Sequence, residues 1–185
     1  GITIVGVKQH EADDVIATLV KHCASDEVCC VVCSRDQDLH QLVGPNCIMF
    51  DPQENEWFDS AAGERLWGVP PSKVVEVQTL AGDTTDDVPG VKGIGEKTAS
   101  TLIQEFGSIE NLYAQLESGN ALPSISVKLR EKLIADKDMA FFSKKLTTII
   151  RDVPITLSIA DAEWRTHTDI SSIENLCKDL GLTTI

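Results

Sequence analysis

The sequence is poor in several things that functional sites are often built from. Basic residues are few: 16 Lys and Arg stand against 29 Asp and Glu, for a net charge of −13. That excludes wrapping nucleic acid with a broad cationic surface. Aromatics make up 5% of the chain, too few for a run of base-stacking platforms, so Trp57, Trp67 and Trp164 read as packing anchors. No apolar run approaches the ~20 residues that span a bilayer, so no membrane partner is expected. The first residues, Gly1-Ile2-Thr3-Ile4-Val5, lack the basic stretch of a secretory signal. They also lack an initiator Met and start inside a strand-like run, as expected of a piece cut from a longer polypeptide.

Other absences narrow the chemistry. His10, His22, His40 and His167 are scattered, so no Ser–His–Asp constellation can be assembled from neighbours in sequence. Cys29, Cys30 and Cys33 form a C-x-x-C, but no second pair and no H-x₃-H accompany it, which disfavours zinc. The apolar run Val28–Cys33 reads as a buried strand, with its cysteines acting as small core hydrophobes in a reducing cytoplasm. The twelve-residue loop of an EF-hand is also absent.

What is present is acid, and it is unevenly placed. Residues 1–89 carry 16 acids and 5 bases, residues 90–150 carry 7 and 8, and residues 151–185 carry 6 and 3. Within the first stretch the acids group: Glu11, Asp13 and Asp14 at the start of a helix, Asp36 and Asp38 after a strand, and Asp83 and Asp86 just past a helix. Gathered carboxylates raise one another's pKa unless cations offset them. Three groups at the ends of elements in one α/β unit point to hard divalent cations, Mg²⁺ or Mn²⁺. Two such ions can clamp an in-line phosphoryl displacement with water as nucleophile.

The periodicity predicts an α/β part: a strand at Ile2–Val7, a helix from His10 to His22, strands at Val28–Cys33 and Asn46–Phe50, a short return strand at Glu56–Phe58, and helices at Ser60–Trp67 and from Pro70 to Leu80. Such alternation predicts a parallel sheet. Past Pro89 helices follow with short loops, at about 96–106, 109–116, 124–137 and 138–149. A strand at Val153–Ile159 and an amphipathic helix at Ile170–Leu180 follow, with Ile173, Leu176 and Leu180 on one face. The expected divisions are residues 1–88 for the metal-binding core, 89–150 for a helical subdomain, and 151–185 for a tail packing back on it.

Between the two parts lies Pro89-Gly90-Val91-Lys92-Gly93-Ile94-Gly95-Glu96-Lys97-Thr98-Ala99. Two glycines around one apolar residue make a tight hairpin, in which Ile94 can plug a core while backbone amides at a helix start face an anion. A dinucleotide fingerprint would need a preceding strand and a third glycine. The string instead matches a helix–hairpin–helix, which grips phosphate and reads no sequence. Lys92, Gly93, Ile94, Gly95, Lys97 and Thr98 are the candidate DNA contacts.

Together these segments resemble one family. Glu11-Ala12-Asp13-Asp14-Val15-Ile16-Ala17 is similar to its E-A-D-D helix, and Ser34-Arg35-Asp36-Gln37-Asp38-Leu39 to its T-G-D-K-D-L. The run from Ala81 to Ala99 is similar to its G-D-x-S-D-N-x-P-G-V-x-G-I-G-x-K-T-A. The family is the 5′→3′ nuclease domain of bacterial DNA polymerase I, related to flap endonucleases, with a parallel-sheet, PIN-like core and a helical subdomain. The resemblance implies a two-metal nuclease that cuts 5′ flaps, nicks and RNA primers in branched or nicked duplex DNA during replication and repair. It implies metal and catalytic roles for Glu11, Asp13, Asp14, Asp36, Asp38, Asp83 and Asp86, and a monovalent cation, often K⁺, on the hairpin carbonyls. It also implies an upstream nuclease segment and downstream polymerase domains in the natural polypeptide, and a nucleoid-associated place in the cytoplasm. Asp87, Gln37 and Arg35 depart from the family pattern. Without the upstream segment, which bears further metal ligands, the alternative is a DNA-binding fragment that is catalytically incomplete, with weak or no metal occupancy.

Overall fold

In a computed structural model, residues 2–119, 121–164 and 169–182 are described. Helix α1, Ala12–Cys23, carries Asp13 and Asp14 in its first turn and Lys21 and His22 in its last, which suits the helix dipole. Its buried side presents Val15, Ala17 and Thr18. Strands β1, Cys30–Cys33, and β2, Cys47–Asp51, pair in parallel, with Val31 opposite Ile48. Strand β3, Glu56–Phe58, returns antiparallel to β2. The sheet is thus ordered β1-β2-β3, with the expected parallel pair and β3 as the short return strand its sequence suggested. The β2–β3 connection is too short for a crossover and can only form a hairpin. Asp51 shapes that turn by accepting the amides of Gln53 and Glu54.

Two predicted strands are absent. Residues 2–7 run without sheet pairing, and Ile2 and Ile4 are 87% and 95% exposed. Alternating apolar residues make a strand only where a neighbour takes their backbone hydrogen bonds, and among the described residues none does. Residues 153–159 also lack strand pairing. They are tied down otherwise, with Val153 buried and its amide donating to the Thr18 hydroxyl at 3.1 Å. Strand β1 has only β2 beside it among the described residues. Cys29 and Cys33 are therefore exposed, and only Cys47 of the six cysteines is buried, which corrects the reading of the cluster as core. A groove of about 1630 Å³, lined among others by Val5, Val7, Ile16, Leu19 and Val31, lies between residues 2–7, α1 and β1.

Helix α2, Ser60–Trp67, is capped by Asp59, which accepts the Ala62 amide at 2.8 Å; Gly68, left-handed at φ 70°, stops it. After a turn at Pro71–Lys73 come α3, Val74–Ala81, then α4, Glu96–Phe106, α5, Ile109–Glu117, α6, Val127–Ala135, and α7, Lys137–Thr147. Ser108 and Ser126 cap α5 and α6. Helix α3 packs on both α4 and α7. The core of this part already begins at Trp67 and takes in Val74, Leu80, Val91, Ile94, Leu102, Leu112 and Leu133. A smaller core beneath the sheet joins Ala17, Val32, Leu39, Leu42 and Met49, and Phe58 touches both. The Gln41 side chain joins the parts again, donating to the Thr147 carbonyl at 3.0 Å and accepting the Ile149 amide at 3.2 Å. Helix α8, Ile170–Asp179, forms as expected, but Ile173 and Leu176 on its apolar side, and Leu180 just after it, stay exposed.

His40 is a packing residue. It stacks on Phe58 at 3.9 Å and its Nδ1 accepts the Trp67 indole N–H at 3.0 Å. Burial lowers its pKa from 6.5 to about 4, with Asp36 opposing. The unfolded histidine protonates near its ordinary value, so the stability this group confers is complete above that value and drains as pH falls toward about 4. The difference in urea midpoint between wild type and His40→Asn is expected to shrink from about pH 7 to about pH 5. A difference constant across that window would count against a neutral buried His40.

Candidate active site

Two local structures aim the acids. Past β1, the Ser34 hydroxyl accepts the Asp36 amide, and the Asp36 carboxylate accepts the Asp38 amide at 3.0 Å, starting a 3-10 turn at Gln37–Leu42. Past α3, Asp83 and Val88 exchange backbone hydrogen bonds of 2.9 and 2.7 Å, closing a loop. Inside it the Asp83 carboxylate accepts the Thr85 amide at 2.7 Å. The segment is a turn rather than a helix, and it still brings Asp83 and Asp86 together. One ligand oxygen from each of Asp38, Asp83 and Asp86 lies within 4.8 Å of the others.

The electrostatics extend this group. Burial, chiefly, raises the pKa of Asp38; Asp36, Asp86 and Asp83 add to the rise, against a hydrogen bond from Gln78. Asp13 is raised by burial and then by Asp36, Glu11, Asp14 and Asp86. Asp13 and Asp36 therefore share the same negative field. Glu11 stands at the N-cap of α1 without a side-chain capping bond. Asp14 is engaged elsewhere: it accepts the Ile150 amide at 2.9 Å and lies 3.9 Å from His10. His167 lies outside the described residues.

The structure adds Gln78, which sequence reasoning missed. Its Nε2 donates to the Asp38 carboxylate at 2.6 Å. Gln78 is 2% exposed, and its Oε1 has no hydrogen-bond partner among the described residues. A buried orphan acceptor beside carboxylates suits the water shell of a cation. The all-oxygen donor set suits a hard divalent ion. The signal in sequence is an amide in line with Val74, Val77 and Ala81 on the inward face of α3. Gln78→Met is expected to weaken Mn²⁺ binding by about tenfold or more, measured by Mn²⁺ titration; unchanged affinity would remove Gln78 from the site.

A cleft of about 550 Å³ runs from this cluster to the hairpin, lined by Gln37, Gly82, Asp83, Thr85, Gly95 and Glu96. Ile94 is the buried plug, 4% exposed, while Lys92, Gly93, Gly95, Lys97 and Thr98 face outward. Gly95 is the N-cap of α4 and offers no side chain to satisfy the first-turn amides. A helix start without a side-chain cap, flanked by the exposed Lys92 and Lys97, has the chemistry to take an anion.

Such acids and such a hairpin at a helix start define a class, and the comparisons agree. Residues 1–68 match the family model described as 5′-3′ exonuclease, N-terminal resolvase-like domain. Residues 69–169 match that of the 5′-3′ exonuclease, C-terminal SAM fold. The chain belongs to the 5′-3′ exonuclease family. It is 34% identical to DNA polymerase I of Caldicellulosiruptor bescii over all of its own length and 23% of that protein's. It is also 34% identical to DNA polymerase I of Bacillus subtilis, over 97% of its own length and 20% of that protein's. The chain thus spans under a quarter of these relatives. In fold it is similar to the T5 D15 protein co-crystallised with metal ions, at a TM-score of 0.65 and 22% identity, over 77% of this chain and 51% of that one. It is also similar to T5 5′-exonuclease with bound zinc, at a TM-score of 0.63 and 23% identity, over 76% and 51%.

Proposed function

We propose that this chain is the catalytic and DNA-gripping part of a structure-specific 5′→3′ nuclease, joined in its natural polypeptide to an upstream nuclease segment and downstream polymerase domains. Its substrates are 5′ flaps, nicks and RNA primers on duplex DNA, and its setting is replication and repair at the nucleoid. The observation that carries this is the convergence of Asp38, Asp83 and Asp86 across one cleft from the exposed amides at Gly95. Asp13, Asp36 and Glu11 would add to the carboxylates able to hold two Mg²⁺ or Mn²⁺ ions, and Asp14 contributes by fixing the start of α1 against Ile150. Bound metal would lower the pKa of the attacking water and offset charge on the leaving oxygen. The chain's own residues position the backbone: Gly93 and Gly95 admit a phosphate close to their amides, and Lys92, Lys97 and Thr98 flank it. Among the described residues no helix is long and apolar enough to cross a membrane, and we place the protein in the cytoplasm.

A second reading, a DNA-binding fragment that does not cut, is favoured by one observation: three of the seven candidate acids meet within 4.8 Å among the described residues. A 5′-labelled flap with Mn²⁺ separates the two. EDTA-sensitive cleavage is expected. Binding by gel shift without cleavage would select the second reading, and the absence of both would remove the first as well.

A further inference from the structure

Helix α6 lays two charged side chains against the hairpin from one direction. Lys132 lies in its last turn and Asp136 is its C-cap. The Asp136 carboxylate accepts the Lys92 amide at 2.9 Å. The Lys132 ammonium donates to the Gly93 carbonyl at 3.0 Å. Consecutive hairpin residues are thus held through an amide on one and a carbonyl on the next. Gly93 sits at φ +76°, and a Cβ there would lie 2.5 Å from the Lys132 Nζ, so the ammonium fills the space over this residue.

The family resemblance implies an exchangeable monovalent cation on the hairpin carbonyls. Here a unit positive charge, tethered to α6, already stands at one of them. A second cation on the same oxygen would face Coulomb repulsion. Tethering raises the ammonium's effective concentration at that oxygen without a free ion in solution. We propose that Lys132 is the hairpin's resident cation: it takes the place of exchangeable K⁺ and, with Asp136, presets the loop for a phosphate. It is a positioning residue, acting through the Gly93 backbone, and this role rests on the DNA-gripping reading of the hairpin. Binding of nicked duplex is then independent of whether the salt is K⁺ or Li⁺.

The test compares wild type, Lys132→Met and Lys132→Arg in K⁺ and in Li⁺ at equal ionic strength. It records thermal melting without DNA and anisotropy with a labelled nicked duplex. Wild type is expected to melt and bind equally in both salts. Lys132→Met is expected to bind about tenfold more weakly in Li⁺, as for loss of one charge-assisted hydrogen bond. In K⁺ it is expected to recover part of its affinity and to melt at a higher temperature, while Lys132→Arg binds as wild type in either salt. K⁺-stimulated binding or K⁺-raised melting of wild type overturns the proposal, and so does a Lys132→Met loss that K⁺ leaves unrelieved. Should Lys132→Met precipitate, Lys132→Gln takes its place with the same expectations. If no form binds DNA, the DNA-gripping reading fails, and the melting comparison still decides whether Lys132 stands in for K⁺.

Discussion

Replacing Asp83 by asparagine is expected to reduce flap cleavage in Mn²⁺ by about a thousandfold, the scale of losing several kcal/mol of metal-borne transition-state stabilisation. The substitution is nearly isosteric. The asparagine carbonyl can still accept the Thr85 amide that Asp83 takes at 2.7 Å, and the backbone exchange with Val88 is untouched. What is removed is one of three converging charges. Cleavage should therefore fall with little change in melting temperature, and Mn²⁺ affinity should fall with it. Asp87 supplies the control. It is exposed, lies outside the converging group, and sits at φ 56°, a conformation asparagine tolerates well. Asp87→Asn should cleave like wild type. An Asp83→Asn variant within about tenfold of wild type would mean that Asp83 is no metal ligand; the threshold is one step of the rate scale.

The second large effect is on stability. The loop that presents Asp83 and leads into the hairpin is closed by two glycines against each other's backbone. A Cβ on Gly90 would stand 2.4 Å from the Gly82 nitrogen and 2.7 Å from the Ala81 carbonyl carbon, and Gly90 is at φ +60°. Its amide also donates to the buried Ser143 hydroxyl at 3.0 Å, so the loop cannot swing away without breaking that bond. Gly90→Ala combines a left-handed cost of about 1–2 kcal/mol with a clash against backbone of about 1–3 kcal/mol. The melting temperature is expected to drop by about 10 °C. Gly107→Ala isolates the first contribution, since Gly107 has φ +76° and open space around its Cβ. Gly95→Ala has neither left-handed strain nor clash, so its loss should be limited to the poorer N-cap that Ala makes and stay well below that of Gly90→Ala. Equal losses at Gly90 and Gly107 would show that close packing of the two backbones contributes nothing.

Much of this fold was legible because much of it is local. Helices α2 and α4 fall at their expected residues, bounded by Asp59, Gly68, Gly95 and Gly107, whose roles are set within a turn. Ile94 is the plug that its place between two glycines suggested. What was misread depends on partners far along the chain. Whether Ile2–Val7 or Val153–Ile159 becomes a strand depends on who lies beside it, and pattern alone is silent on that. The acids were legible as groups. That Asp38 meets Asp83 and Asp86, while Asp14 turns to Ile150, was not, because a helix face and a loop closure decide it. Gln78 and Lys132 carry no motif. Each is recognisable only once α3 and α6 have been laid against the site.

The side of β1 away from β2 bears on how the chain behaves at high concentration. Among the described residues no strand pairs with it, and it runs beside an apolar groove, with Val31 and the Cys29 and Cys33 thiols exposed. A second molecule can add its own β1 there, edge to edge, and bury both apolar faces, the route by which open sheets seed aggregates. Disulfides through Cys29 or Cys33 would then fix such pairs under oxidising conditions. Dilute, reduced samples are consequently the setting in which this chain's binding and cleavage are best read.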